Sequence, residues 1–246
     1  MLRAVASPLA SVGATPAEVD ALDVSAKVTF FDDFLGDVIA DEYTAITGND
    51  AQAVAVAVVA GVSNGVIAMT SGDSNPGVTA ADASGVVLGR NFAAAQGGLV
   101  FEARVKLDAI TLAYAFVGLT DTIALERPIE SNGTTGLTAT ADDAVGWLFD
   151  TTGTDPDAWM TAGVKATVAT ARTKGSAPVA DTYDTLRIEV STDGTATFYQ
   201  NGTLVATVAN SVTAATLLTP VLIVMERAVA GTRKLTADYV FVQQNR

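Results

Sequence analysis

With 246 residues the chain is long enough for one large domain, the favoured reading, or two small ones, and its 49% hydrophobic against 17% charged content excludes a disordered polymer. With 27 acidic residues against 14 basic ones, the formal charge of -13 repels phosphate backbones and argues against nucleic acid as a partner. The complete lack of His and Cys removes Ser-His-Asp and Cys-His nucleophiles, HExxH zinc helices, disulfides and thiolate metal sites.

In chain order, residues 1–27 come first and read differently from the rest. They are small and Ala-rich, and Pro8 interrupts a weak apolar run that falls short of a well-formed secretory signal. Thr15-Pro16-Ala17-Glu18 has the form of a helix start, with Thr15 as cap and Pro16 at the first helical position. The segment is expected to be an N-terminal arm that packs on a neighbouring subunit, with a loosely attached terminus as the plainer alternative. The remainder, 28–246, is expected to form the folded domain. Its longest apolar run, 53–62, is strand-sized and far short of the roughly 18 residues a membrane helix needs, so no membrane partner is expected.

Period-two alternation marks the strands. Residues 54–62 and 66–70 flank Asn64-Gly65, a turn pair that tolerates positive φ. Over 99–107, Phe101, Ala103, Val105 and Leu107 fall on one face and Glu102, Arg104 and Lys106 on the other, which predicts a strand with one buried and one wet face. Further strands are expected at 113–119, 144–150, 164–170, 186–190, 219–226 and 234–243, and a hairpin over 195–208 turns at Asn201-Gly202. No βαβ alternation appears. The pattern predicts an all-β fold of two antiparallel sheets packed face to face. Residues 71–96 and 120–143 are the longest interruptions and are expected to be binding loops.

Phe31-Asp32-Asp33-Phe34, the 184–190 strand, the Tyr199-Gln200-Asn201-Gly202 turn and the closing Ala237-Asp238-Tyr239-Val240 together resemble a concanavalin A-like jelly roll. Within that group, Leu99-Val100-Phe101-Glu102-Ala103-Arg104-Val105, Phe116-Val117-Gly118-Leu119-Thr120-Asp121 and Val145-Gly146-Trp147-Leu148-Phe149-Asp150 are similar to structural proteins of tailed-bacteriophage virions. That resemblance implies a jelly-roll β-sandwich with an N-terminal arm. It also implies a non-enzymatic capsid decoration or accessory subunit, located in the virion after assembly in the host cytoplasm. Its partners would be other virion proteins, capsid or tail, and itself as a homo-oligomer. The alternative is a carbohydrate-binding lectin-like module or adhesin that meets a surface glycan.

Each chemical site expected in such a fold has a plainer counterpart. Hydrolysis of glycosides needs two carboxylates across a cleft. Glucanases of this fold carry them on one strand as Glu-x-Asp-x-x-Glu, a motif absent here, so no catalytic residue is expected. Glu102 reads as part of an ion-pair ladder, and Glu126 and Glu130 straddle Pro128 in a loop. Asp150, Asp155 and Asp157 crowd one short loop and are the weak candidates for a Ca²⁺ site, against a turn-forming cluster; no cofactor is expected. Legume-type lectin metal sites include a histidine and cannot be carried over. Trp147 sits in an apolar strand and is expected in the core, whereas Trp159 follows Asp155-Pro156-Asp157-Ala158 and is the candidate sugar contact, against a role as loop anchor.

Overall fold

The computed structural model describes residues 26–48, 54–72, 82–89, 91–124, 126–132, 136–152, 157–170, 172–227 and 231–246. The strands are β1 (Lys27–Asp32), β2 (Thr44–Thr47), β3 (Ala55–Val58), β4 (Ile67–Thr70), β5 (Ser84–Val87) and β6 (Leu99–Leu107). They continue with β7 (Ala113–Thr120), β8 (Ile129–Ser131), β9 (Leu137–Ala139), β10 (Ala144–Asp150), β11 (Met160–Lys165) and β12 (Val168–Ala169). The last are β13 (Asp184–Val190), β14 (Ala196–Gln200), β15 (Thr203–Val208), β16 (Thr219–Glu226) and β17 (Lys234–Asn245). One sheet runs β15-β14-β13-β6-β17-β4-β3 with β1 also paired to β17, the other runs β12-β11-β10-β7-β16-β5-β2, and β8-β9 form a separate hairpin. All these pairings are antiparallel, so the expected two-sheet jelly-roll sandwich is the fold observed.

The eight-stranded sheet behaves as its alternation predicts. Phe101, Ala103, Val105 and Leu107 of β6 are buried between the sheets, with Leu186 and Ile188 of β13 and Val240 and Val242 of β17. On the outer face Glu102, Arg104 and Lys106 of β6 are partly exposed. The seven-stranded sheet differs: every residue of β7, β10 and β16 is buried. Ala115, Val117, Trp147 and Leu222 face the shared core, while Tyr114, Phe116, Leu148 and Ile223 belong to a second apolar cluster on the opposite face. A strand covered on both faces loses its polar alternate positions, which is why these segments read as nearly continuous apolar runs. Close layering also requires a small residue at Gly146, where a Cβ would sit 2.4 Å from the Phe116 ring.

Part of that second cluster comes from 120–143. The segment was expected to be an open loop, yet it contains β8 and β9, and it places fully buried Ile129 and nearly buried Ala141 in the cluster. The Tyr114 hydroxyl donates to the Ile129 carbonyl at 2.8 Å. Likewise 71–96 holds β5 and a 3₁₀ turn at Ala94–Gln96. The single strand expected at 164–170 is broken by Ala166 and Thr167 at φ 49° and 68°, which turn β11 into β12. Both predicted turn pairs occur, with positive φ at Asn64, Gly65, Asn201 and Gly202. Lys27 already belongs to β1, so the first strand begins inside the segment expected as an arm. Residues 1–25, including the Thr15 helix start and the expected subunit contacts, lie outside the described residues.

Candidate functional site

β7 and β10 lie side by side with Thr120 opposite Ala144 at one end and Tyr114 opposite Asp150 at the other. Their middle is covered by the second apolar cluster, and carboxylates gather at each end.

At the first end the register brings residues leaving β7 against residues entering β10. The Asp121 amide donates to the Asp143 carbonyl at 2.9 Å, and the Thr122 amide donates to the Thr120 hydroxyl at 3.3 Å. Asp121, Thr122, Glu126, Thr140, Ala141 and Asp142 line a polar notch of about 280 Å³. Burial raises the Asp121 carboxyl above its ordinary range, and the charges of Asp142 and Asp143 push the same way against a backbone hydrogen bond at Asp143. Burial also raises Glu126, reinforced by Asp121 and Asp142 and offset by a hydrogen bond from Thr122. Asp143 is committed elsewhere, accepting the Thr213 amide at 2.5 Å and the Thr216 hydroxyl at 3.1 Å. A carboxyl that keeps its proton longer beside an ionisable partner is the arrangement general acid catalysis uses.

At the second end the carboxylates are held by arginines. Asp150 Oδ1 accepts Arg227 Nε at 2.9 Å and the Thr152 amide and hydroxyl at 3.1 and 2.8 Å. Its Oδ2 accepts Arg227 Nη2 and the Ser131 amide. Glu130 pairs with Arg127 at 2.5 Å and with Arg227 at 3.4 Å. This is a structural ion network, with every Asp150 oxygen occupied by donors.

These positions correct several expectations. Glu126 and Glu130, read as straddling Pro128 rather than as a pair, do lie apart, one among carboxylates and the other among arginines. Of the Ca²⁺ candidates, Asp150 is locked to Arg227 and Asp157 pairs with Lys174 at 2.8 Å, while Asp155 lies outside the described residues. Among the described residues no three His, Cys, Asp or Glu side chains are grouped to hold a metal. Trp159 presents no ring face to a sugar, being 1% exposed. Its Nε1 donates to Asp184 Oδ2 at 3.0 Å, and its ring centroid lies 5.8 Å from that of Phe149, which is the loop-anchor role. Trp147 is in the core as expected, donating to the Arg187 carbonyl at 3.3 Å. Glu102 joins an ion-pair ladder, across strands to Arg187 at 3.3 Å. Asp121 and Asp142 were not picked out from the sequence. Their signal was positional, one just past an apolar strand and the other just before its neighbour.

No protein-family model matches the sequence, and no curated protein matches it significantly. Solved structures do match. A β-glucanase of Bacillus licheniformis superposes with TM-score 0.59 at 12% identity, covering 87% of this chain and 97% of that one. The laminarinase from Rhodothermus marinus gives 0.61 at 12% identity, covering 88% and 96%. SCLam, a non-specific endo-β-1,3(4)-glucanase of glycoside hydrolase family 16, gives 0.59 at 15% identity, covering 95% and 94%. The expectations of a capsid accessory subunit and of a protein without enzymatic activity are overturned here, because the likenesses run to glucanases and nothing in them points to a virion. At these identities the shared property is architecture: the chain has the concanavalin A-like jelly-roll fold found in family 16 glucanases.

Proposed function

We propose that this protein is carbohydrate-active and binds a polysaccharide, with β-glucans as the first class to test. The observation that supports it is the match of the whole two-sheet fold to glucanases over 87 to 95% of the chain. The acidic surface favours neutral over anionic polymers. The test is retardation of the full chain in native gels cast with a mixed-linkage β-glucan. Migration unchanged by any neutral glucan would end this reading.

A second reading, hydrolysis, is favoured by Glu126 standing with Asp121 and Asp142 around one polar notch, where burial holds the Glu126 carboxyl above its ordinary range. Glu126 would protonate the glycosidic oxygen while Asp121 or Asp142 attacks the anomeric carbon or activates water. Release of reducing ends from a soluble β-glucan, lost in Glu126→Gln, is the expected result. Release that survives in both Glu126→Gln and Asp121→Asn would remove the notch from the chemistry.

A further inference from the structure

The outer face of the eight-stranded sheet combines side chains that the core does not use. Register places Phe31 of β1 beside Phe241 of β17, Phe241 beside Glu102 of β6, and Glu102 beside Arg187 of β13. Phe31 is 58% exposed, and its ring centroid lies 5.9 Å from that of Tyr239 at a 34° tilt. The Tyr239 hydroxyl donates to Glu102 Oε1 at 2.6 Å, and Arg187 links Glu102 at 3.3 Å to Glu189 at 2.8 Å. The pairing of β17 with β6 shifts between Ala237 and Tyr239, leaving Asp238 as an extra residue that meets Arg104. The Arg104 guanidinium in turn covers the Tyr183 ring at 4.2 Å.

We infer that this face is the platform on which a neutral polysaccharide chain lies, with Phe31 stacking on a sugar ring and the paired Arg104, Asp238 and Glu102 groups bonding hydroxyls. This rests on the polysaccharide reading above and adds the surface that holds the chain. Charge selects the occupant. Arg104, Lys106 and Arg187 are matched by Asp238, Asp181, Glu102 and Glu189, a nearly neutral patch on a chain of formal charge -13. Groups already paired in the plane of the sheet offer donors and acceptors to a polyol but little net field to an ion.

The test uses the full chain in native gels cast with mixed-linkage β-glucan or with polygalacturonate. The expected result is retardation by the glucan alone, weakened about tenfold in Phe31→Ala and retained in Phe31→Trp. Arg104→Ala should also weaken it, and supports the platform independently if Phe31→Ala proves unstable in thermal melts. Glucan retardation that is unchanged in both alanine variants overturns the platform while leaving polysaccharide binding intact. Retardation by polygalacturonate alone overturns the neutral ligand, and no retardation by either polymer overturns both inferences.

Discussion

The two ends of the β7-β10 pair hold similar residues under opposite electrostatic conditions. At the Asp150 end, two buried arginine contacts compensate the carboxylates, and hydrogen bonds from Ser131 and Thr152 complete their shell. At the Asp121 end, burial and neighbouring carboxylates both work against ionisation. The first arrangement fixes the β8-β9 hairpin against the sheet; the second disfavours ionisation at Asp121 and Glu126. Acidic residues clustered in sequence therefore say little about chemistry until the register shows which cations reach them.

Removing the compensation should produce the largest effect. Arg227→Ala leaves Asp150 buried without its guanidinium and is expected to cost about 3–5 kcal/mol, read from urea unfolding. If the loss is below about 1 kcal/mol, the two ends do not differ as described. Next comes the apolar layer between them: Gly146→Ala drives a methyl into the Phe116 ring and should cost roughly 1–3 kcal/mol by the same measurement.

The Asp121 end predicts a smaller effect with a definite sign. A carboxyl raised in the folded state contributes stability that is full below its ordinary value and is lost as pH rises through the raised one. The parent should therefore lose stability as pH climbs from about 4.5, and Glu126→Gln should flatten that slope. The change should be less than about 1 kcal/mol because solvent screens a half-exposed group. An identical slope in the variant would detach Glu126 from the effect. Smallest of all, Lys174→Ala breaks the exposed pair to Asp157 and should leave the unfolding midpoint where it was.

Much of the scaffold was legible because local rules and tertiary environment agreed. β6 alternates because one face is wet, and the Asn201-Gly202 hairpin forms because both residues accept positive φ. β10 and β16 were expected with the limits they are observed to have. What was not legible depended on pairings distant in sequence. β8 and β9 are three residues each and exist because Tyr114, Asp150 and Arg227 anchor them. Trp159 sits in a polar sequence context, yet its indole is buried against Phe149 and bonded to Asp184, 25 residues on. The carboxylate notch was hidden for the same reason, since Asp121 and Asp142 meet only through the Thr120 to Ala144 register.

β17 is the shared neighbour of β1, β4 and β6, which it joins into one sheet. A nascent chain emerging from the ribosome holds those three strands long before the segment that unites them has been made. Sheet closure is therefore deferred until β17 itself has been made, and until then the edges of β1, β4 and β6 that it covers stay open.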